Sequence, residues 1–488
     1  NVWQTLRIET DTSAKKALIK ICGKKAGEVA ISADYIDGIK IGINPDKDGI
    51  MWFDDIKAGM SVDHDDYTPV PKANNNDGYN IGIYVCNLWH DAVTREGWQA
   101  VTPFPELEPY LGFYDEGSPE VADWEIKMMA EHGIDFQHVC WYTPNTVVNE
   151  PIKKTTTSYA ALHDGYFNAK YSDMVKFCLL WENEGNAKGG SLEKFKEYYW
   201  KYWKEYYFSD SRYEVLDNKP VMSVWNYDNF IQFFGGLENA KEAVAFMRED
   251  IKTLGFDDII IIGGGLTVRN EKAESLGFDA TYYVHYAQAG SSAEHQINTL
   301  KDAVGTDMHT IPTVAVGHND IGRNDTRSSL ISLEGHKQVA EYIRDGYLAS
   351  KKTGTWKDKT LFVSNWNEYS EGHYLLPSGD FGYGYLENIK DVFTDDKSDH
   401  TALDVKPTAS QKARITKMSP LTYTPIRIFR LENASSQITY APVKTWDFKT
   451  DEAINDWNYS NVNPPEKTAD GIKIRGLTAD PQMLTKSL

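Results

Sequence analysis

Cysteine is scarce. There are four in 488 residues, Cys22, Cys86, Cys140 and Cys178, and no two stand in CxxC spacing. That excludes a small disulfide scaffold and a zinc ribbon. Three of the four lie in or beside apolar strand-like runs, where buried free thiols are the ordinary reading. Positive charge is also in deficit: 51 Lys and Arg against 71 Asp and Glu give a formal net charge of −20. Nucleic acid or an anionic membrane surface as main partner would need a basic face, so the balance argues against both. The sequence contains no window of about 18 apolar residues, so no segment reads as a membrane span. It has no internal repeat, no low-complexity tract and no HExxH or comparable His cluster. The run "IIGGGL" at 261–266 lacks the GxGxxG order of a dinucleotide site. No metal and no cofactor are expected. The chain starts at Asn1 with neither Met nor a leader, so a processed start and a secreted, periplasmic or cell-surface location are expected. A monomer is expected.

Aromatic residues, by contrast, are abundant. They make up 13% of the chain, with 14 Trp and 29 Tyr, while hydrophobic residues reach 41%. Such enrichment suits a protein that stacks ring-shaped ligands, sugars among them, although a large core can absorb much of it. The length predicts two or three domains. Residues 1–60 read as strands, in "WQTLRIET", "KALIKICG", "GIKIGI" and "IMWFDDIKAG". An acidic, Pro- and Asn-rich linker follows over 61–79. From 80 to 420 short β-rich runs alternate with helical patterns, and after a second linker over 421–439 the segment 440–488 is β-rich again.

The strands of the central region are predicted at 81–86, 136–141, 175–181, 220–225, 258–262, 280–285, 310–316 and 360–365. Helical segments such as "SPEVADWEIKMMAEHG" lie between them. Ser118-Pro119-Glu120 reads as a helix start and Gly133 as its stop. Eight strands with intervening helices predict an α/β fold, a (β/α)8 TIM-type barrel. A doubly wound open sheet is the alternative, because periodicity does not report closure.

In such a barrel the chemistry collects at the C-terminal strand ends. Those ends carry Trp89 and His90, Trp141 and Tyr142, Trp181, Asn183 and Glu184, Trp225, His285 and Tyr286, then His318, Asn319 and Arg323. The eighth end is "SNWNEYSEGH", with Trp366, Asn367, Glu368 and Glu371; Tyr84 within the first strand and Trp98 beyond it complete the candidate binding set. Indole faces meet the C–H faces of sugar rings, and amides, His and carboxylates meet the hydroxyls. A single Trp at a strand end is more often core, but five of the eight ends carry one. Glycoside cleavage needs one group to protonate the leaving oxygen and another to take a proton or supply negative charge. Glu368 and Glu371, three positions apart, fit that need. On a helical turn their Cβ atoms would be about 5–6 Å apart and facing the same way. Like charges that close push the two pKa values apart, so one acid can stay protonated near neutral pH. A bare ExxE is usually a solvated charge pair; its place after a predicted barrel strand, among Trp and Asn, favours catalysis.

The stretch "NWNEYSEGHYLLP" followed by "GYGYLENI" resembles the end of the barrel in WbsX-like proteins, relatives of family 99 glycoside hydrolases, whose pattern there is approximately WNEWxEGxYLEP. "LGFYDEGSPEV", "KFCLLWENE", "DSRYEVLDNKPVMSVW" and "HTALDVKPTASQKARI" are similar, in order, to further family segments; the second of these answers to FCLxWANE. The resemblance spans about residues 80–420. It implies a TIM-type barrel acting on glycosides, and family 99 enzymes are retaining endo-α-mannosidases. Carried over, Glu368 would assist the sugar 2-hydroxyl in forming a 1,2-anhydro sugar and Glu371 would be the acid/base. Tyr369 stands where the family has Trp, Leu376 where it has Glu, and "REGWQAV" replaces "FTEWTNV". These departures are expected on substrate-contacting loops. Some WbsX-like proteins are described as glycosyltransferases, so a transferase stays open beside the hydrolase, as does a glycan-binding protein without activity.

The termini resemble two halves of a jelly-roll module: 440–488 its first half and 1–60 its second. They read either as two separate modules or as one β-sandwich. Each alone is too short to bury much apolar surface. A single sandwich is therefore expected, serving as a brace or as a glycan-binding module. The partner implied throughout is a poly- or oligosaccharide.

Overall fold

The computed structural model describes residues 6–11, 15–21, 24–30, most of 66–416 and short pieces between 450 and 485. Within 66–416 the main stretches outside the description are 90–97, 143–151, 153–159, 185–189, 265–269, 284–291, 305–307, 320–329 and 396–405.

Strands β1 (Leu6–Asp11), β2 (Lys16–Ile21) and β3 (Lys24–Ala30) form an antiparallel meander. The central sheet begins with β4 (Asn80–Cys86), β5 (Phe136–Tyr142) and β6 (Lys176–Glu182). A two-residue strand, β7 (Val215–Leu216), pairs antiparallel to β8 (Lys219–Val224), and β9 (Ile260–Gly263) and β10 (Ala280–Tyr282) continue the parallel order. The seventh barrel strand is broken into β11 (Thr310–Ile311) and β12 (Thr313–Ala315), and β13 (Thr360–Ser364) is the eighth.

The break in strand seven closes the ring. β11 pairs with β10, while β12 pairs with β13, which in turn pairs with β4. Pro312 between the two pieces has no N–H to give, yet its carbonyl accepts from Phe362 N at 2.9 Å, so the ladder runs across the break. The sheet is a parallel barrel and not an open doubly wound sheet.

Alternation along the strands sorts side chains into two layers. Tyr84, His138, Tyr282 and Phe362 meet in the lumen, with ring centroids 4.8 Å (Tyr84–His138), 5.5 Å (Tyr84–Tyr282) and 4.9 Å (His138–Phe362) apart. Phe136 plugs the base so closely that a Cβ at Gly82 would lie 2.3 Å from its Cζ. The outer layer holds Trp141 and Trp181, each packed against Trp203 of the helical run 192–208 at 5.2 and 5.4 Å. Trp181→Ala should therefore lower unfolding free energy by about 3–5 kcal/mol, as truncation of a core aromatic does. Denaturant unfolding measures it; weakened glycan binding at unchanged stability would contradict this placement.

Helix α1 (Pro119–Glu131) starts at Ser118-Pro119 and stops before Gly133, whose φ of +78° suits glycine. The segment expected as a linker is tied to this helix in its described part, 66–79. Asn74 N donates to Ala130 O at 3.0 Å and Asn76 Nδ2 to Gly133 O at 3.1 Å, so the Asn-rich run is tied to carbonyls at and just past the helix C-terminus. At the far end of the barrel region, Arg414 Nε donates to Glu120 Oε2 of α1 at 2.8 Å.

Two further short strands, β14 (Asn367–Glu368) and β15 (His373–Tyr374), belong to the barrel mouth. The chain divides into two compact units, Asn1–Pro425 and Ile426–Leu488. In the second, the ladders among the described residues are β16 (Trp457–Ser460) with β19 (Gln482–Thr485) and β17 (Glu466–Thr468) with β18 (Gly471–Lys473). The strand readings "GIKIGI" and "IMWFDDIKAG" lie outside the described residues.

Candidate active site

Past β13 the chain makes a tight hairpin. Trp366 N donates to Tyr84 O at 2.7 Å, and β14 then pairs antiparallel with β15, placing Glu368 opposite His373. A 3-10 turn, Tyr369–Glu371, joins them. The two glutamates thus sit on a hairpin and its turn instead of the helical turn the spacing suggested. Gly372 has φ +57°, and a Cβ there would lie 2.1 Å from Asn319 O, so the hairpin and the loop after strand seven approach too closely for a side chain.

Glu368 is buried and accepts from Asn365 Nδ2 at 3.1 Å; the same amide nitrogen reaches Cys86 Sγ at 3.3 Å. Glu371 is one-fifth exposed, with His318 Nε2 3.5 Å from its Oε2, and its carbonyl accepts from Asn319 N at 3.0 Å. Beneath the pair, His373 is pinned. Its Nδ1 faces the Gly317 carbonyl, which can only accept, so Nδ1 carries the proton and Nε2 accepts from Ser364 Oγ at 2.6 Å. Burial pushes His373 down to about 4, keeping it neutral.

Asn367 and Trp366 anchor the hairpin from behind. Asn367 Oδ1 accepts from Cys86 N at 2.8 Å, and Trp366 Nε1 donates to Glu125 Oε1 of α1 at 3.0 Å. Burial raises Glu125 to about 7 against the lowering effect of that bond. A cavity of about 10 Å³ lies on this rear side, bordered by Asn87, Glu116, Glu125 and Asn367. That is about the room one water needs, so it is no glycan cleft. Among the described residues no group of three His, Cys, Asp or Glu side chains is placed to hold a metal ion, and no helix is long and apolar enough to cross a membrane.

The expected aromatic platforms lie elsewhere than at the rim. None of Trp89, Trp98, Trp141, Trp181 and Trp366 is more than 1% exposed, and as the structure holds them they offer no ring face to a ligand. Trp89 and Trp98 pack 4.4 Å apart, and both touch Tyr369, at 5.3 and 5.2 Å. Two of the family departures, Tyr369 and Leu376, are likewise fully buried, not on substrate-contacting loops. Trp225 is half-buried. Asn183 bridges strand ends: it donates to Asn226 O at 2.8 Å and accepts from Asn226 N at 3.0 Å. Glu184 is exposed, its N–H given to Glu182 Oε1. Tyr84 and Tyr142 face the lumen, and the Tyr142 hydroxyl, raised chiefly by burial, also feels Cys86, Cys140, Glu368 and Glu182. His90, His285, Tyr286 and Arg323 lie outside the described residues.

Sequence reasoning passed over Asn365, Cys86, Cys140, His373 and Glu182. Strand parity was the signal that could have found the lumen-facing ones: on β5 and β6 the Trp faces the helices, and the residue after it faces the lumen.

The described residues form a parallel barrel with an aromatic lumen, and Glu368 and Glu371 stand on the hairpin and turn that follow its eighth strand. The chain belongs to the family described as Glycosyltransferase WbsX, whose model matches residues 103–306 and 289–389, together more than half of the 488 residues. No curated protein matches it. Among solved structures it is similar to a glycoside hydrolase-like protein (14% identity, 67% of this chain and 98% of that one, TM-score 0.46). It is also similar to the family 99 endo-alpha-mannosidase of Bacteroides thetaiotaomicron (16%, 64% and 95%, 0.43) and to a family 5 xyloglucanase of Paenibacillus pabuli (11%, 65% and 99%, 0.38). Likenesses this distant say nothing of this chain's activity.

Proposed function

We propose that the protein is a retaining glycoside hydrolase that cleaves a poly- or oligosaccharide with Glu368 and Glu371. The observation that carries the reading is the placing of both carboxyls on one tight hairpin at the C-terminal end of the eighth barrel strand. In the first step Glu368 takes the proton of the sugar 2-hydroxyl while that oxygen attacks the anomeric carbon; the bond to the leaving oxygen breaks, and Glu371 protonates it. In the second, Glu371 deprotonates a water that attacks the anomeric carbon, the anhydro ring opens, and Glu368 returns its proton to the 2-oxygen. Two inversions give net retention. Asn365 holds Glu368, and His318 stands beside the more accessible Glu371, as their roles require.

The family description favours a second reading, transfer from a nucleotide-sugar donor. Incubating the purified protein with defined glycans, with and without nucleotide sugars, separates the two: release without a donor supports hydrolysis, and turnover only with a donor supports transfer.

From the sequence halves we further propose that 1–60 and 440–488 form one β-sandwich. A chain ending at residue 439 should then expose residues 1–60 to trypsin, with cleavage at least ~10-fold faster than in the full chain, since protection tracks the population of open states. Unchanged protection contradicts the joint module.

A further inference from the structure

One carboxyl of the barrel mouth has no role in the mechanism above. Glu182 ends β6, in register with Tyr142 of β5. Alternation fixes its direction: Trp181 packs outward on Phe195 at 5.8 Å and Trp203 at 5.4 Å, so Glu182 points to the lumen side. Its charge reaches two lumenal hydroxyls, those of Tyr142 and Tyr282, and Tyr142 also feels Glu368. Tyr142 therefore stands between Glu182 and the catalytic hairpin.

Among the described residues Glu182 has a single hydrogen bond, from Glu184 N to its Oε1 at 2.9 Å, and no Lys or Arg neutralises it. Burial raises it to about 7. A partly buried carboxyl without a counter-ion is costly, and such a group marks a candidate functional site. Its side chain brings two acceptor oxygens to the strand end next to Tyr142, its register partner on β5.

We propose that Glu182 is a specificity-determining residue of the glycan site, which accepts hydrogen bonds from hydroxyls of a neutral sugar bound beside Tyr142 and rejects a carboxylated or sulfated one. An ionised carboxylate offers acceptors only, so it matches a sugar hydroxyl pair and repels a uronate. The inference rests on the glycosidase reading for its substrate class but not on the roles of Glu368 and Glu371.

The test is steady-state kinetics at about pH 8, where Glu182 is ionised, for the wild type, Glu182→Gln and Glu182→Ala. The substrates are a neutral oligosaccharide that the wild type cleaves and its uronate-bearing counterpart. Glu182→Ala should raise KM for the neutral glycan ~10-fold with kcat within ~3-fold, the pattern of lost uniform binding. Glu182→Gln should narrow the preference for neutral over anionic glycan at least ~10-fold. Unchanged KM and unchanged preference in both variants, with melting temperatures intact, overturn the proposal. If the wild type cleaves no glycan, the hydrolase reading is what has failed. Calorimetric binding of the same glycans to the same three proteins then decides Glu182: affinity and preference altered as above support it, and unaltered values overturn it.

Discussion

Glu371→Gln is expected to lose at least ~10²-fold in kcat on whatever glycan the wild type cleaves, the lower range for removing acid–base assistance. The substitution keeps the shape of the side chain and its place 3.5 Å from His318 Nε2, while removing the proton that the leaving oxygen must receive. Glu368→Gln should fall as far, because an amide does not take the proton of the 2-hydroxyl. Both variants should keep the wild-type melting temperature, since the hairpin is held by backbone pairing, by His373 between Gly317 and Ser364, and by Trp366 on Glu125. The exposed Glu238 on the helix Leu237–Asp250 serves as control, and its Gln variant should match the wild type. Full activity in Glu371→Gln would remove it from the mechanism.

A large effect on stability is expected from His138. It lies at the centre of the lumen against Tyr84, Tyr282 and Phe362, fully buried, and among the described residues neither ring nitrogen has a hydrogen-bond partner. Burial pushes it down to about 3. The unfolded chain protonates this histidine near 6.5, while the folded protein refuses the proton until far lower pH. Its contribution to stability is therefore intact above pH 6.5 and is lost as the pH falls from there towards 3. At about pH 4.5 the loss amounts to about 2–3 kcal/mol, at 1.36 kcal/mol for each pH unit of differential protonation. His138→Phe removes that titration. Its unfolding free energy relative to the wild type should be about 2–3 kcal/mol larger, in the direction of greater stability, at pH 4.5 than at pH 7.5. Any steric cost of the larger ring is the same at both pH values and cancels in the comparison. Chemical denaturation at the two pH values measures it, and an equal difference at both would contradict it.

The acid limb has an opposing partner. Burial raises Glu125 and Asp135 to about 7, so each holds a proton in the fold that the unfolded chain has already released. Their contribution is full below about pH 4 and is lost as pH rises through 7. His336, which burial pushes down to about 3, acts in the same sense as His138.

The periodicity of the sequence located every barrel strand because each is a short β-rich run between helical patterns, and Ser118-Pro119 and Gly133 marked α1 through backbone chemistry that is local. Closure was not legible: it depends on which neighbours the two sides of Pro312 find, a matter of tertiary pairing. The carboxyl pair could be read from its position after strand eight, but not its hairpin, which is fixed by contacts with Tyr84, Gly317 and Asn319 from distant parts of the chain. The tryptophans were legible as a cluster and misplaced in depth. Assigning every residue at a strand's C-terminal end to the rim ignores parity, so Trp141 and Trp181 were placed there although alternation turns them toward the helices. The same parity, applied strictly, leads to Tyr142 and Glu182.

The most direct measurement is proton NMR of the purified protein with defined neutral oligosaccharides and no nucleotide sugar, following the anomeric signals of the first product. Hydrolysis through the Glu368–Glu371 pair predicts release of a new reducing end whose first-formed anomer keeps the configuration of the cleaved bond, and no release by Glu371→Gln. No cleavage without a donor, together with sugar transfer once a nucleotide sugar is added, would contradict it.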